Sequence, residues 1–127
     1  MENLIVEATK YTPAINLNAT TGILEITGKS YPENTFEFYQ PLMDWAESYF
    51  ATPSEKTTTI NMEIIYFNSS SSKLFFDFFD ILDGAKTQCP IIINWIYDAE
   101  NENAEEAGED FIEDFTDLKI NLVIKDE

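Results

Sequence analysis

The chain has no histidine and no arginine, one cysteine, and four glycines placed singly. Each lack excludes a class of chemistry. Without histidine there is no imidazole base, no Ser-His or Cys-His nucleophile pair and no His-ligated zinc. Without clustered glycines there is no phosphate-cradling loop. The single thiol, Cys89, cannot form an internal disulfide, and its place before Pro90 and an apolar run marks it as a buried thiol of a reducing compartment. No apolar run approaches the roughly 20 residues that a membrane helix needs, and the N-terminus lacks a basic segment followed by a signal-type core. A cytoplasmic protein is expected.

What is abundant is negative charge. Twenty-four carboxylates face seven lysines, a formal net charge of −17. Phosphate neutralisation by Lys and Arg dominates nucleic-acid affinity, and an anionic membrane repels the same field, so neither partner is expected. A basic protein face is. The composition nevertheless includes 44% apolar residues and ten Phe, the content of a packed core rather than of an acidic tail. At 127 residues it suits one domain, 1–127.

Along the chain, Leu4 to Ala8 reads as an edge strand, and AINLN and ILEIT alternate about a turn at Thr20 to Gly22, a β-hairpin. After SYPENT, with capping candidates Ser30, Asn34 and Thr35, the residues Phe36, Tyr39, Leu42, Met43, Ala46, Tyr49 and Phe50 recur at helical spacing. Pro41 must kink that helix or mark a late start. Thr58 to Phe67 is a strand with Ile60, Met62, Ile64 and Tyr66 on one face. A helix follows from about Ser70 to Asp83, with Gly84 as a left-handed cap. Pro90 to Tyr97 is nearly all apolar, which predicts a strand covered on both faces. The acidic segment Asp98 to Asp117 keeps a helical stripe of Ala104, Ala107, Phe111 and Phe115, and Leu118 to Ile124 closes the chain as a strand. The order predicts an α/β sandwich: one mixed sheet with packed helices.

Carboxylate pairs such as Asp77 with Asp80 arise from composition alone and mean a solvated face. Asp98 to Glu109 places acids at positions 1, 3, 5 and 12 of a calcium-loop template, but Asn103 stands where the template wants Gly, and a strand precedes it instead of a helix. No metal site or cofactor is assigned; a small-ligand or calcium-binding domain remains the reading from a different class.

The run YFNSSSSK, Tyr66 to Lys73, sits where a strand hands over to a helix. One hydroxyl there can act as N-cap. Four exceed that need, and unpaired N–H donors with the positive end of the helix dipole also suit a phosphate. In the helix, Leu74, Phe75, Phe78, Phe79, Ile81 and Leu82 gather on one side. Phe76 points the other way, among Lys73, Asp80 and Asp83, and is either covered by another element or a contact hot spot.

SYPEN (30–34), FYQPLMDW (38–45), YFNSSSSK (66–73), NWIYD (94–98) and GEDFIEDF (108–115) together resemble the SiaC family of bacterial regulatory phosphoproteins over essentially the whole chain. The resemblance implies a fold similar to the STAS domain of anti-sigma-factor antagonists and a switch without catalysis of its own. It implies that a Ser/Thr kinase of the anti-sigma-factor type phosphorylates the hydroxyl after the junction Asn and that a PP2C-type phosphatase reverses this. The unphosphorylated form then binds a GGDEF diguanylate cyclase and stimulates cyclic-di-GMP synthesis, favouring biofilm or aggregation. Carried over by position, Asn68 is that Asn and Ser69 the phosphoacceptor, with Ser70 its rival. Partner binding is expected at Asn68, Ser69, Lys73, Phe76 and Asp80. An anti-sigma-factor antagonist that captures a kinase-like anti-sigma factor is the close alternative.

Overall fold

The computed structural model describes residues 1–125. Six strands form one sheet in chain order: β1 (Leu4–Val6), β2 (Ala14–Asn18), β3 (Ile23–Ser30), β4 (Thr58–Phe67), β5 (Ile91–Tyr97) and β6 (Lys119–Ile124). β1 to β3 pair antiparallel, and β3 to β6 pair parallel. Each parallel step crosses through one helix: α1 (Thr35–Phe50), α2 (Ser69–Ala85) and α3 (Glu102–Asp114). Because every crossover advances one strand in the same direction, right-handed connection puts all three helices on one face. This is the mixed α/β sandwich that the element order implies. No helix among the described residues is long and apolar enough to cross a membrane.

The one-sided cover corrects the expectation for Pro90 to Tyr97. In β5, Ile91, Ile93, Trp95 and Tyr97 are buried beneath the helices, whereas Ile92, Asn94 and Ile96 are only half-buried on the other face. There Asn94 donates to Asn61 at 2.9 Å, and Asn121 donates to Asn94 at 3.1 Å. These three Asn stand in register across β4, β5 and β6. An amide ladder, not a second helical layer, finishes that face.

Local chemistry explains the helix limits. Asn34, not a later residue, caps α1 by accepting the Glu37 N–H at 3.0 Å, so Pro41 lies inside the helix instead of starting it. Pro41 and Glu37, whose carbonyl loses its i+4 donor, are both solvent-exposed, where water can replace the missing bond. Gly84 is within α2 and has no left-handed φ; α2 ends on Lys86 in the right-handed region, so the expected glycine cap is absent. At Gly108 the close approach is real: an added Cβ would lie 2.5 Å from Leu122 Cδ2 and 2.7 Å from Trp95 Cδ1. The lack of a side chain lets α3 lie flat on the sheet.

One irregularity shapes the working end. The β3–β4 register slips between Gly28, with φ +132°, and Lys29, so that Lys29 pairs with Tyr66 and Ile65 is passed over. A bulge reverses the in-out alternation beyond it. Phe67 consequently turns inward against Phe75 and Trp95, and Tyr66 turns out to 53% exposure. Tyr66 thus does not share the buried face of Ile60, Met62 and Ile64, as strict alternation predicts.

Candidate functional site

The carboxyl ends of β3 and β4 deliver Ser30 and Asn68 to the start of α2. The Asn68 N–H donates to the Ser30 carbonyl at 3.2 Å, tying the two strand ends together. Asn68 is itself the N-cap: its Oδ1 accepts the Ser71 N–H at 2.9 Å, and its carbonyl accepts the Ser72 N–H at 3.0 Å. The cap is therefore a carboxamide, and none of the four serines performs that task.

The serines divide by position. Ser71 is fully buried, and its hydroxyl donates to the Ser30 carbonyl at 2.9 Å while accepting from Ser30 Oγ at 2.7 Å. Ser30 Oγ also bonds the Tyr39 hydroxyl. With the Ser30 and Ser71 protons both committed, Tyr39 must be the donor to Ser30. Burial pushes the Tyr39 phenol above its ordinary value, a rise that the Ser30 bond partly opposes, so it keeps its proton. Ser69 and Ser70, by contrast, are exposed in the first two positions of the helix. Their N–H groups have no intrahelical acceptor by helix geometry.

Charge around this end is arranged unlike that of the other helices. Glu37 lies in the first turn of α1, and Glu102 and Glu105 in that of α3, yet the first turn of α2 holds no acid. In a chain this acidic, that one helix brings no carboxylate of its own to the positive end of its dipole, although Glu33 lines the same depression as Ser70 and Lys73. Lys73, one turn beyond Ser69, has a side chain 79% exposed and reaches Asp77 only at 3.9 Å, a pair too open to contribute much.

At this junction two exposed serines thus precede a buried one at the start of a helix. The model of the SiaC family regulatory phosphoproteins matches residues 6–125. The chain belongs to the SiaC family. Apo-SiaC from Pseudomonas aeruginosa is similar at 31% identity with a TM-score of 0.87, covering 97% of this chain and 99% of that one. SiaC in complex with the diguanylate cyclase SiaD, of which it is the activator, is similar at the same identity and TM-score over 96% of this chain and 99% of that one. An uncharacterized protein of Pseudomonas aeruginosa strain UCBPP-PA14 is 35% identical over 115 residues, 90% of each chain.

Within this SiaC-family fold, Ser69, Lys73, Phe76 and Asp80 fall on one stripe of α2, at spacings of four, three and four. Asn68 stands at its head. Phe76, however, is half-buried beneath α3: its ring lies 4.8 Å from that of Phe111 and 6.1 Å from that of Phe115. Phe76 is thus partly covered by another element, and its remaining surface lines a cavity between α2 and α3. The calcium-template reading does not survive, because α3 begins at the fifth template position and separates Glu102 from Glu109 by about 10 Å of helix. Among the described residues no group of three or more acids converges.

Sequence reasoning missed an aromatic rim. Tyr31 packs edge-on against both Tyr11 and Tyr66, with centroids 5.3 Å apart in each case. Phe36, 68% exposed, shares a depression with Ser70 and Lys73. Exposed aromatics concentrated at one end of a domain mark contact surface. The signal was hidden because Tyr66 reads as a core position until the bulge is seen.

Proposed function

We propose that the protein is a non-enzymatic, phosphorylation-switched regulator whose unphosphorylated form docks on a GGDEF diguanylate cyclase and raises cyclic-di-GMP synthesis. Ser69 is the switch residue, with Ser70 its rival. A kinase of the anti-sigma-factor type adds the phosphate and a PP2C-type phosphatase removes it. The setting is the cytoplasm, where the nucleotides for kinase and cyclase are found, and the output is biofilm or aggregation behaviour.

The observation that carries this reading is the division of the serine run. Ser69 and Ser70 present hydroxyls to solvent in a first helical turn that holds no acid, while Ser71 is sealed in a buried network. A phosphate on Ser69 would add about −1.5 to −2 charge beside unpaired N–H donors, and Lys73 lies one turn away to meet it. Asn68, Lys73, Phe76 and Asp80 surround or line the same face, so the modification would alter charge and shape where a partner sits. The activator role of the similar SiaC, in complex with SiaD, supports the choice of a cyclase. An anti-sigma-factor antagonist would use the same switch with a different partner.

Incubation with the cognate kinase and ATP tests the acceptor. Ser69→Ala should take up no phosphate and Ser70→Ala should take up the full amount. Undiminished uptake by Ser69→Ala, with loss in Ser70→Ala, transfers the role to Ser70.

A further inference from the structure

A cavity of about 310 Å³ opens between α2, α3 and the carboxyl end of β4, beside the serine junction. Its apolar lining comes from Phe67, Phe76, Ala107 and Phe111, and its polar rim includes Glu106 and Asp110. Those two acids stand four residues apart on α3 and so share one exposed face. Among the described residues neither is in an ion pair; the four pairs present involve Lys73, Lys86 and Lys125. The volume is at the lower limit of ligand pockets, about 300 Å³, room for a large side chain more than for a cofactor.

Resting on the docking reading above, we propose that this cavity is the anchor pocket for an arginine side chain of the partner protein. A guanidinium is planar, weakly hydrated and always charged; it can lie against the half-buried Phe76 ring, with the fully buried Phe111 behind it, while its N–H fork meets carboxylates at the rim. Its three-carbon stem covers apolar lining. A lysine ammonium, compact and strongly hydrated, gains less from aromatic rings. The occupant is not a second copy, because this chain contains no arginine. Ser72 lines the cavity three residues after Ser69, so a partner anchored there also covers the first turn of α2. The acidic rim thereby complements a basic partner, and the pocket lies within reach of the switch.

The pocket can be tested without any partner. The protein is titrated with N-acetyl-arginine methylamide while amide and aromatic NMR signals are followed, with the norleucine analogue as uncharged control. The expected result is saturable shifts centred on Phe76, Ala107 and Phe111, and binding weaker by about tenfold in Glu106→Gln/Asp110→Asn. Ala107→Leu, which fills the cavity and keeps both charges, should weaken binding as much. Shifts spread evenly over the acidic surface, equal response to norleucine, or indifference to Ala107→Leu would overturn the pocket. If the probe binds as expected but Glu106→Gln/Asp110→Asn docks on the cyclase with unchanged affinity, the assignment to the partner is overturned and the Ser69 switch is untouched.

Discussion

Asn68 and Ser71 are joined cap to helix: the Asn68 Oδ1 accepts the Ser71 N–H at 2.9 Å, three residues on. The bond frees the serine hydroxyls from capping and fixes which of them face solvent. Asn68→Ala should cost about 1 kcal/mol of stability, or about 4 °C in Tm for a domain of this size. Asn68→Asp, which keeps the acceptor, should retain most of it. Thermal unfolding followed by circular dichroism separates the two variants; equal loss in both would remove the cap from the account.

Neighbouring serines should behave as different kinds of residue. Ser71→Ala strips a fully buried hydroxyl and leaves Ser30 Oγ without its acceptor, which should cost about 1–3 kcal/mol. Ser69→Ala and Ser70→Ala alter exposed groups and should stay within about 0.5 kcal/mol of the unsubstituted protein. Urea denaturation of the three variants reads this difference directly. A Ser71→Ala protein as stable as the parent would contradict the buried network.

Phe76 packs at a tilt against Phe111 and Phe115, so its truncation should be felt in the fold. Full burial of Phe sets an upper range of about 3–5 kcal/mol for Phe→Ala, and a half-buried ring should lose about 2 kcal/mol. The same denaturation experiment applies. A change below about 0.5 kcal/mol would return Phe76 to the status of a free surface residue.

Much of this architecture is legible in the sequence, because periodicity survives wherever one face is buried. The strand Thr58 to Phe67 and the stripe Ala104, Ala107, Phe111, Phe115 were readable for that reason. Pattern fails where a single residue breaks the period. The slip after Gly28 exchanges the faces of Tyr66 and Phe67, a relation between two strands that no local run encodes. The near-continuous apolar run at Ile91 to Tyr97 overstates its cover, since Asn94 finds its partners in Asn61 and Asn121, 33 and 27 residues away. In the site, position alone made a phosphate comfortable among four serines, and the family resemblance selected Ser69. That Ser71 is sealed off depends on Ser30 and Tyr39, which are 41 and 32 residues distant in the chain. The cavity rimmed by Glu106 and Asp110 was invisible among 24 acids.

Alkaline pH should expose the buried phenol. The Tyr39 pKa is raised by burial above the ordinary 10.0, which the unfolded chain keeps. Below that value both states hold the proton and no stability is lost; above it the unfolded state ionises first, and stability falls as pH rises towards the folded value. Tyr39→Phe should be less stable by about 1 kcal/mol at neutral pH, having lost its bond to Ser30. Its stability should then decline less steeply than that of the parent above pH 10, by up to about 1.4 kcal/mol per pH unit. Urea titrations at successive pH values check this, and parallel curves for the two proteins would contradict it.

The central claim is that one phosphate at the head of α2 decides whether the partner is engaged. Its most direct test is to titrate the diguanylate cyclase with the unmodified protein and with protein stoichiometrically phosphorylated at Ser69, following cyclic-di-GMP production. The account predicts saturable activation by the unmodified protein, none by the phosphorylated form, and recovery after phosphatase treatment. Equal activation by both forms would contradict it.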